Sequence, residues 1–146
     1  MAGGQGSRLE GIPRVKRPIP LVDTSVLVRY LTGDDPEKAE RAARPLEGEE
    51  VGLTALVLVE TAYVLTSVYR IPRERVVDAL MGLLLRKNLT PRDVDEEWAL
   101  EALLLCCPSA RVSFADALLW AQAGPGGVVY AFDARFPQED LEVRIP

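Results

Sequence analysis

The sequence predicts an α/β protein with a parallel sheet covered by helices on both faces. Three observations lead there. Short apolar runs alternate with segments of helical periodicity along most of the chain. Two of those runs end directly on an aspartate, Asp23 and Asp133, and open parallel sheets bind ligands at the carboxyl ends of their strands. The length, 146 residues with 48% hydrophobic content, suits one domain with one core.

The elements follow in order. Residues 1–18 are Gly-rich and basic and lack an apolar signal core, so they read as a flexible lead-in to a domain over 19–146. Ile19 to Val22 is a short buried strand ending at Asp23, and Val26, Leu27, Tyr30 and Leu31 then repeat at helical spacing. Asp35-Pro36-Glu37 is a helix start, with a capping aspartate, proline at the first helical position and an acid behind it. That helix is expected to stop near Pro45 and Gly48. Val51 to Leu53 is a strand and Ala55 to Tyr69 a nearly all-apolar helix. The next helix opens at Pro72 and carries Val76, Val77, Leu80, Leu83 and Leu84 on one face. Leu89-Thr90-Pro91 is a weak strand whose proline points to a sheet edge. Asp95 starts a helix that ends before Pro108, and Ser113 caps another that runs to Ala123, with Gly124 after it. Gly127 to Phe132 is the clearest strand, and Leu141 to Ile145 is a possible last one.

Composition excludes several functions. Histidine is absent, which removes His-based triads and Cys/His zinc sites. The two cysteines, Cys106 and Cys107, are adjacent and cannot build a disulfide framework. A net charge of −5 excludes a cationic coat over the whole surface and leaves room for a local basic patch. Val51 to Tyr69 has membrane length, but Glu60 sits at its centre, so a strand running into a buried helix is the better account. A cytoplasmic location, with no membrane partner, is the expectation.

Four acids stand out by their neighbours. Asp23 and Asp133 follow apolar strands, although a turn or cap role would also explain each. Glu60 has Leu56, Val57, Tyr63 and Val64 around it and no basic residue within four positions. An acid buried there must be paired, protonated or bound to a metal, and a distant arginine is the structural alternative. Asp116 has capping-box spacing from Ser113. Together the four suggest one cluster, which like-charge repulsion would make dependent on a hard divalent cation, Mg²⁺ or Mn²⁺. Such a site activates water and neutralises phosphate, and phosphodiester hydrolysis needs no histidine.

At this point the sequence resembles a known family. LVDTSVLVRYLTGDDP, VLVETAYVL, SFADALLWA and VVYAFDARF are similar, in order and spacing, to the four acidic motifs of PIN-domain ribonucleases, and most of all to VapC-like toxins of toxin–antitoxin pairs. The resemblance covers residues 19–146. It implies a three-layer α/β/α fold with strand order 3-2-1-4-5, counting along the chain from the strand at 19–22. It implies Mg²⁺- or Mn²⁺-dependent cleavage of RNA, with Asp23, Glu60, Asp116 and Asp133 as the catalytic and metal-holding acids, directly or through water. Thr24 and Ser25 match supporting positions. The family often has Thr or Ser two positions before the last acid, and Ala131 stands there instead. The resemblance also implies a homodimer and a cognate antitoxin. Arg29, Arg70, Arg73 and Arg135 are candidates for RNA phosphates, Arg29 and Arg135 foremost, with ordinary surface charge as the alternative for each.

Other classes fit less well. An aspartyl-phosphate enzyme needs a lysine beside its acids, and none of Lys16, Lys38 or Lys87 follows an apolar strand. A PIN-domain nuclease of RNA processing and a non-catalytic interaction module of the same fold remain as alternatives.

Overall fold

The computed structural model describes residues 18–146. All but the last residue of the expected lead-in over 1–18 therefore lies outside the described residues. The protein is α/β, with six α-helices and short parallel strands among the described residues.

Helix α1 spans Thr24–Thr32 and α2 spans Pro36–Gly48. Asp35 caps α2 by accepting from the Lys38 N–H, with Pro36 in the first turn. Pro45 does not end this helix but lies inside it, near its last turn. Strand β1, Val51–Leu53, is fully buried and leads through Thr54 into α3, Ala55–Tyr63. The Thr54 hydroxyl accepts from the Val57 N–H, and the Asp93 carboxylate accepts from that of Ala55. The helix expected to run on to Tyr69 widens instead into a π turn over Val64–Val68. Helix α4, Arg73–Leu84, buries the five residues expected on one face. Strand β2 is Leu89–Pro91. Helix α5, Glu96–Cys106, is capped by Asp95, and α6, Phe114–Ala123, by Ser113. Strands β3 and β4 are Val128–Tyr130 and Glu142–Arg144.

Among the described residues the strands form two separate parallel pairs, β1 with β2 and β3 with β4. The expected first strand is reduced to one bridge between Leu21 and Gly52. Pro20 supplies the reason. Its carbonyl accepts from the Gly52 N–H, but proline has no N–H to return on that side. Gly52 pairs with both neighbours, and a Cβ there would meet Leu21 Cδ2 at 2.8 Å and Arg92 Cγ at 2.7 Å. The pairings run 3-2-1 and 4-5 in the expected count. Among the described residues no backbone pairing joins the two sets, so the full order 3-2-1-4-5 is not shown.

The core runs through every layer of helices, with Leu27, Leu46, Leu58, Leu80, Leu84 and Leu103 fully buried. Truncating one such leucine to alanine costs about 2–5 kcal/mol. Packing of α1 on α3, and of α3 on α6, brings the segments that carry Asp23, Glu60 and Asp116 into one half of the molecule. Among the described residues, no helix is long and apolar enough to cross a membrane.

Candidate active site

Asp23 ends the first apolar run and stands at the N-terminus of α1, where its backbone rather than its side chain caps the helix. Its carboxylate is free for other partners. The Ser25 hydroxyl donates to Asp23 Oδ2 at 2.9 Å. That bond, with backbone N–H groups of Thr24 and Ser25 behind it, holds the Asp23 pKa below the usual carboxylate range. Thr24, next along α1, donates its hydroxyl to Glu60 Oε1 at 3.1 Å. One side-chain bond therefore ties the start of α1 to the middle of α3, 36 residues away. Asp23, Thr24, Ser25, Arg29, Glu60 and Tyr69 line an open cleft of about 510 Å³.

Glu60 is exposed, not buried. Two of the four apolar neighbours that suggested burial are at the surface themselves, Leu56 66% exposed and Tyr63 64%, while Val57 and Val64 are partly buried. Glu60 thus needs no arginine partner to be accommodated.

Asp133 follows β3 and is gripped by Arg135. The Arg135 backbone N–H and Nε donate to Asp133 Oδ1, and Nη2 donates to Oδ2 at 3.1 Å. Arg135 lowers the Asp133 pKa, and Asp133, helped by the more distant Asp116, keeps the guanidinium charged. Asp116 is half-buried in the first turn of α6, where its N–H is taken by the Ser113 hydroxyl. Asp116 and Asp133 share Arg135 as a neighbour, but neither lines the cleft of Asp23 and Glu60.

Among the described residues no group of three or more acidic or cysteine side chains is close enough to share a metal ion. The single cluster expected from the sequence is therefore not assembled among the described residues, and three of these carboxylates have donors of their own in Ser25, Thr24 and Arg135. The donor chemistry still suits a hard divalent cation. Mg²⁺ is commonly held by one or two carboxylates and several waters. Asp23 and Glu60 offer two exposed carboxylates in one open cleft.

The arginine candidates divide. Arg29 lies on the cleft wall, with Nη1 donating to Asp34 at 3.0 Å. Arg70 is exposed, in a left-handed backbone conformation with φ of 58°. Arg73 is structural: its guanidinium donates to the Cys106 and Val112 carbonyls and stacks on Phe114 at 4.1 Å. Arg135 is occupied by Asp133.

Sequence reasoning missed Asp34. It accepts from Arg29, from the Thr32 hydroxyl and from the Tyr69 hydroxyl at 2.6 Å. These bonds, that of Tyr69 first, lower its pKa to about 2. Asp34 follows Gly33 in a turn, and nothing local in the sequence marks a partner 35 residues away.

No curated protein matches the chain. The sequence model of the PIN domain family matches residues 21–140, a span that includes all four acids and every helix described above. PIN domains are nucleases that act on RNA and generally use divalent metal ions, and this chain belongs to the PIN domain family.

Proposed function

We infer that the protein is a Mg²⁺- or Mn²⁺-dependent ribonuclease and the toxin of a VapBC-type toxin–antitoxin pair. The observation that carries the catalytic part is the cleft in which Asp23 and Glu60, from distant segments, meet through the Thr24–Glu60 hydrogen bond. Asp23 and Glu60 would hold the ion, and Asp116 and Asp133, which do not line that cleft, would act on it through water. When bound, the ion supplies charge to offset the phosphate and activates water. The chain's own residues set the stage for this. Ser25 keeps Asp23 ionised and fixes its rotamer. Thr24 orients Glu60 toward the cleft. Arg135 keeps Asp133 in place until a stronger cation competes for it.

The toxin reading rests on the motif resemblance. Exposed Leu56, Tyr63 and Val68 on α3 and its π turn offer an apolar face for a homodimer or an antitoxin segment. The test has two parts. Purified protein should cleave RNA with Mg²⁺ or Mn²⁺ and stop in EDTA, and Asp23→Asn should abolish cleavage with the fold intact. Cleavage unaffected by Asp23→Asn would sink the catalytic assignment. For the toxin role, expression should arrest growth and co-expression of the upstream gene should relieve it. No arrest would point to an RNA-processing nuclease.

A further inference from the structure

A second cavity adjoins the acidic cleft. It has a volume of about 460 Å³ and lies between α1 and α2. Ser25 and Arg29 line both spaces, so the two are continuous along one wall. Its floor is Val26, Ala42 and Pro45, and its rim carries Arg29, Lys38 and Arg41. Lys38, Arg41 and Pro45 recur at positions i, i+3 and i+7 of α2 and so share one helix face. Three cations around one groove are conspicuous in a chain of net charge −5. They are also little used. Lys38 makes no ion pair among the described residues. Arg41 meets Glu37 only at 3.8 Å, in a pair open to water. Arg29 commits Nη1 to Asp34, which leaves its other donors free to turn outward.

We propose that the α1–α2 groove binds the single-stranded RNA flanking the scissile phosphate, with Lys38 and Arg41 on backbone phosphates and the apolar floor against a nucleotide. The inference rests on the nuclease reading above and extends it to the path of the substrate. Charge complementarity favours RNA. An apolar floor beneath a cationic rim is the arrangement that suits unpaired nucleotides, whose bases need a face and whose phosphates need donors. Arg29 is the hinge of the path, because it reaches both the groove and the acidic cleft.

The test is binding of a short single-stranded RNA to the full chain in EDTA, where metal-dependent cleavage stops, followed by fluorescence anisotropy over a range of salt. Loss of two phosphate contacts should reduce the slope of log K against log salt by about 1.4. The double variant Lys38→Gln/Arg41→Gln should show that drop and bind on the order of 10–30-fold more weakly at moderate salt. Lys38→Arg/Arg41→Lys should restore the slope. Arg75→Gln removes a charge from exposed surface on α4 and should leave the slope within error. An unchanged slope in the double variant, or an equal drop in Arg75→Gln, overturns the groove assignment while leaving the nuclease reading intact. Binding of an oligoglutamate peptide as tight as that of RNA would assign the groove to an acidic protein segment instead. A parent protein that binds no RNA at any salt overturns the nuclease reading, and this inference with it.

Discussion

Arg135 holds Asp133 through both carboxylate oxygens, two residues along the chain. The acid most distant in sequence from Asp23 thus carries its own cation. A metal ion and Arg135 compete for the same oxygens, since a carboxylate that accepts a guanidinium fork has fewer lone pairs to offer. Arg135→Gln removes the competitor. The Mg²⁺ concentration that half-saturates cleavage should then fall several-fold. Titration of cleavage rate against Mg²⁺ checks this, and a rise would mean that Arg135 orients Asp133 for the ion.

Glu60 tests the cleft from the other side. It is exposed and held by the Thr24 hydroxyl, so Glu60→Gln keeps the shape and strands no buried charge. Stability in EDTA should stay within about 0.5 kcal/mol of the parent, as at other surface sites. Cleavage should fall on the order of 10²-fold, and Mg²⁺ should stabilise the variant less than the parent. Paired thermal melts with Mg²⁺ and with EDTA, beside a cleavage assay, give all three readings. A large loss of stability in EDTA would make Glu60 a structural residue.

Ser25 should set the acid limit of cleavage. Its hydroxyl is the main cause of the lowered Asp23 pKa, so Ser25→Ala raises that pKa toward the ordinary value. Activity that needs ionised Asp23 is then lost at a higher pH on acidification. The acid limb of the pH–rate profile should move toward neutrality. A limb that stays in place would show that another group controls it.

Acid also weakens the fold near the cleft. The Asp34 pKa is lowered to about 2 from 3.8, so its contribution is complete above the ordinary value and fades as pH falls toward 2. Asp34→Asn should lower the melting temperature at neutral pH and flatten its decline between about pH 4 and 2. Melting curves over that range decide it. A parallel decline in parent and variant would remove Asp34 from the account.

Arg73 carries a stability prediction. It ties the Cys106 and Val112 carbonyls, on either side of the loop before α6, to the start of α4. Arg73→Ala should cost about 2–3 kcal/mol, the range for hydrogen bonds made by a charged group. Lysine should recover little, because a point charge cannot reproduce the fork or the stacking on Phe114. Urea unfolding of the three proteins measures the difference, and a loss below about 0.5 kcal/mol would return Arg73 to ordinary surface charge.

Local chemistry was legible in the chain, and distant chemistry was not. Asp35, Asp95 and Ser113 announced their helices because capping is decided within three residues. The buried face of α4 followed from periodicity alone. Glu60 was misplaced because apolar neighbours read as burial, whereas Leu56 and Tyr63 are exposed. The first strand was shortened by Pro20, whose missing donor matters only once its partner is known. The Asp34–Tyr69 bond joins two turns that share no pattern in the sequence.

The π turn over Val64–Val68 acts as an angular offset between α3 and Tyr69. The Tyr69 N–H bonds to the Val64 carbonyl, five residues back, so one residue more than an α-helix needs is spent on the turn. Each helical residue rotates the chain by about 100°. That extra residue turns Tyr69 toward Asp34 and the mouth of the cleft, while Leu58 and Ala62 upstream keep their seats in the core. Deleting any one residue from 64–68 would restore an even pitch and swing Tyr69 away from Asp34. The phase of the helix is thereby set twice, once for packing and once for the site, and the widened turn lets both settings coexist.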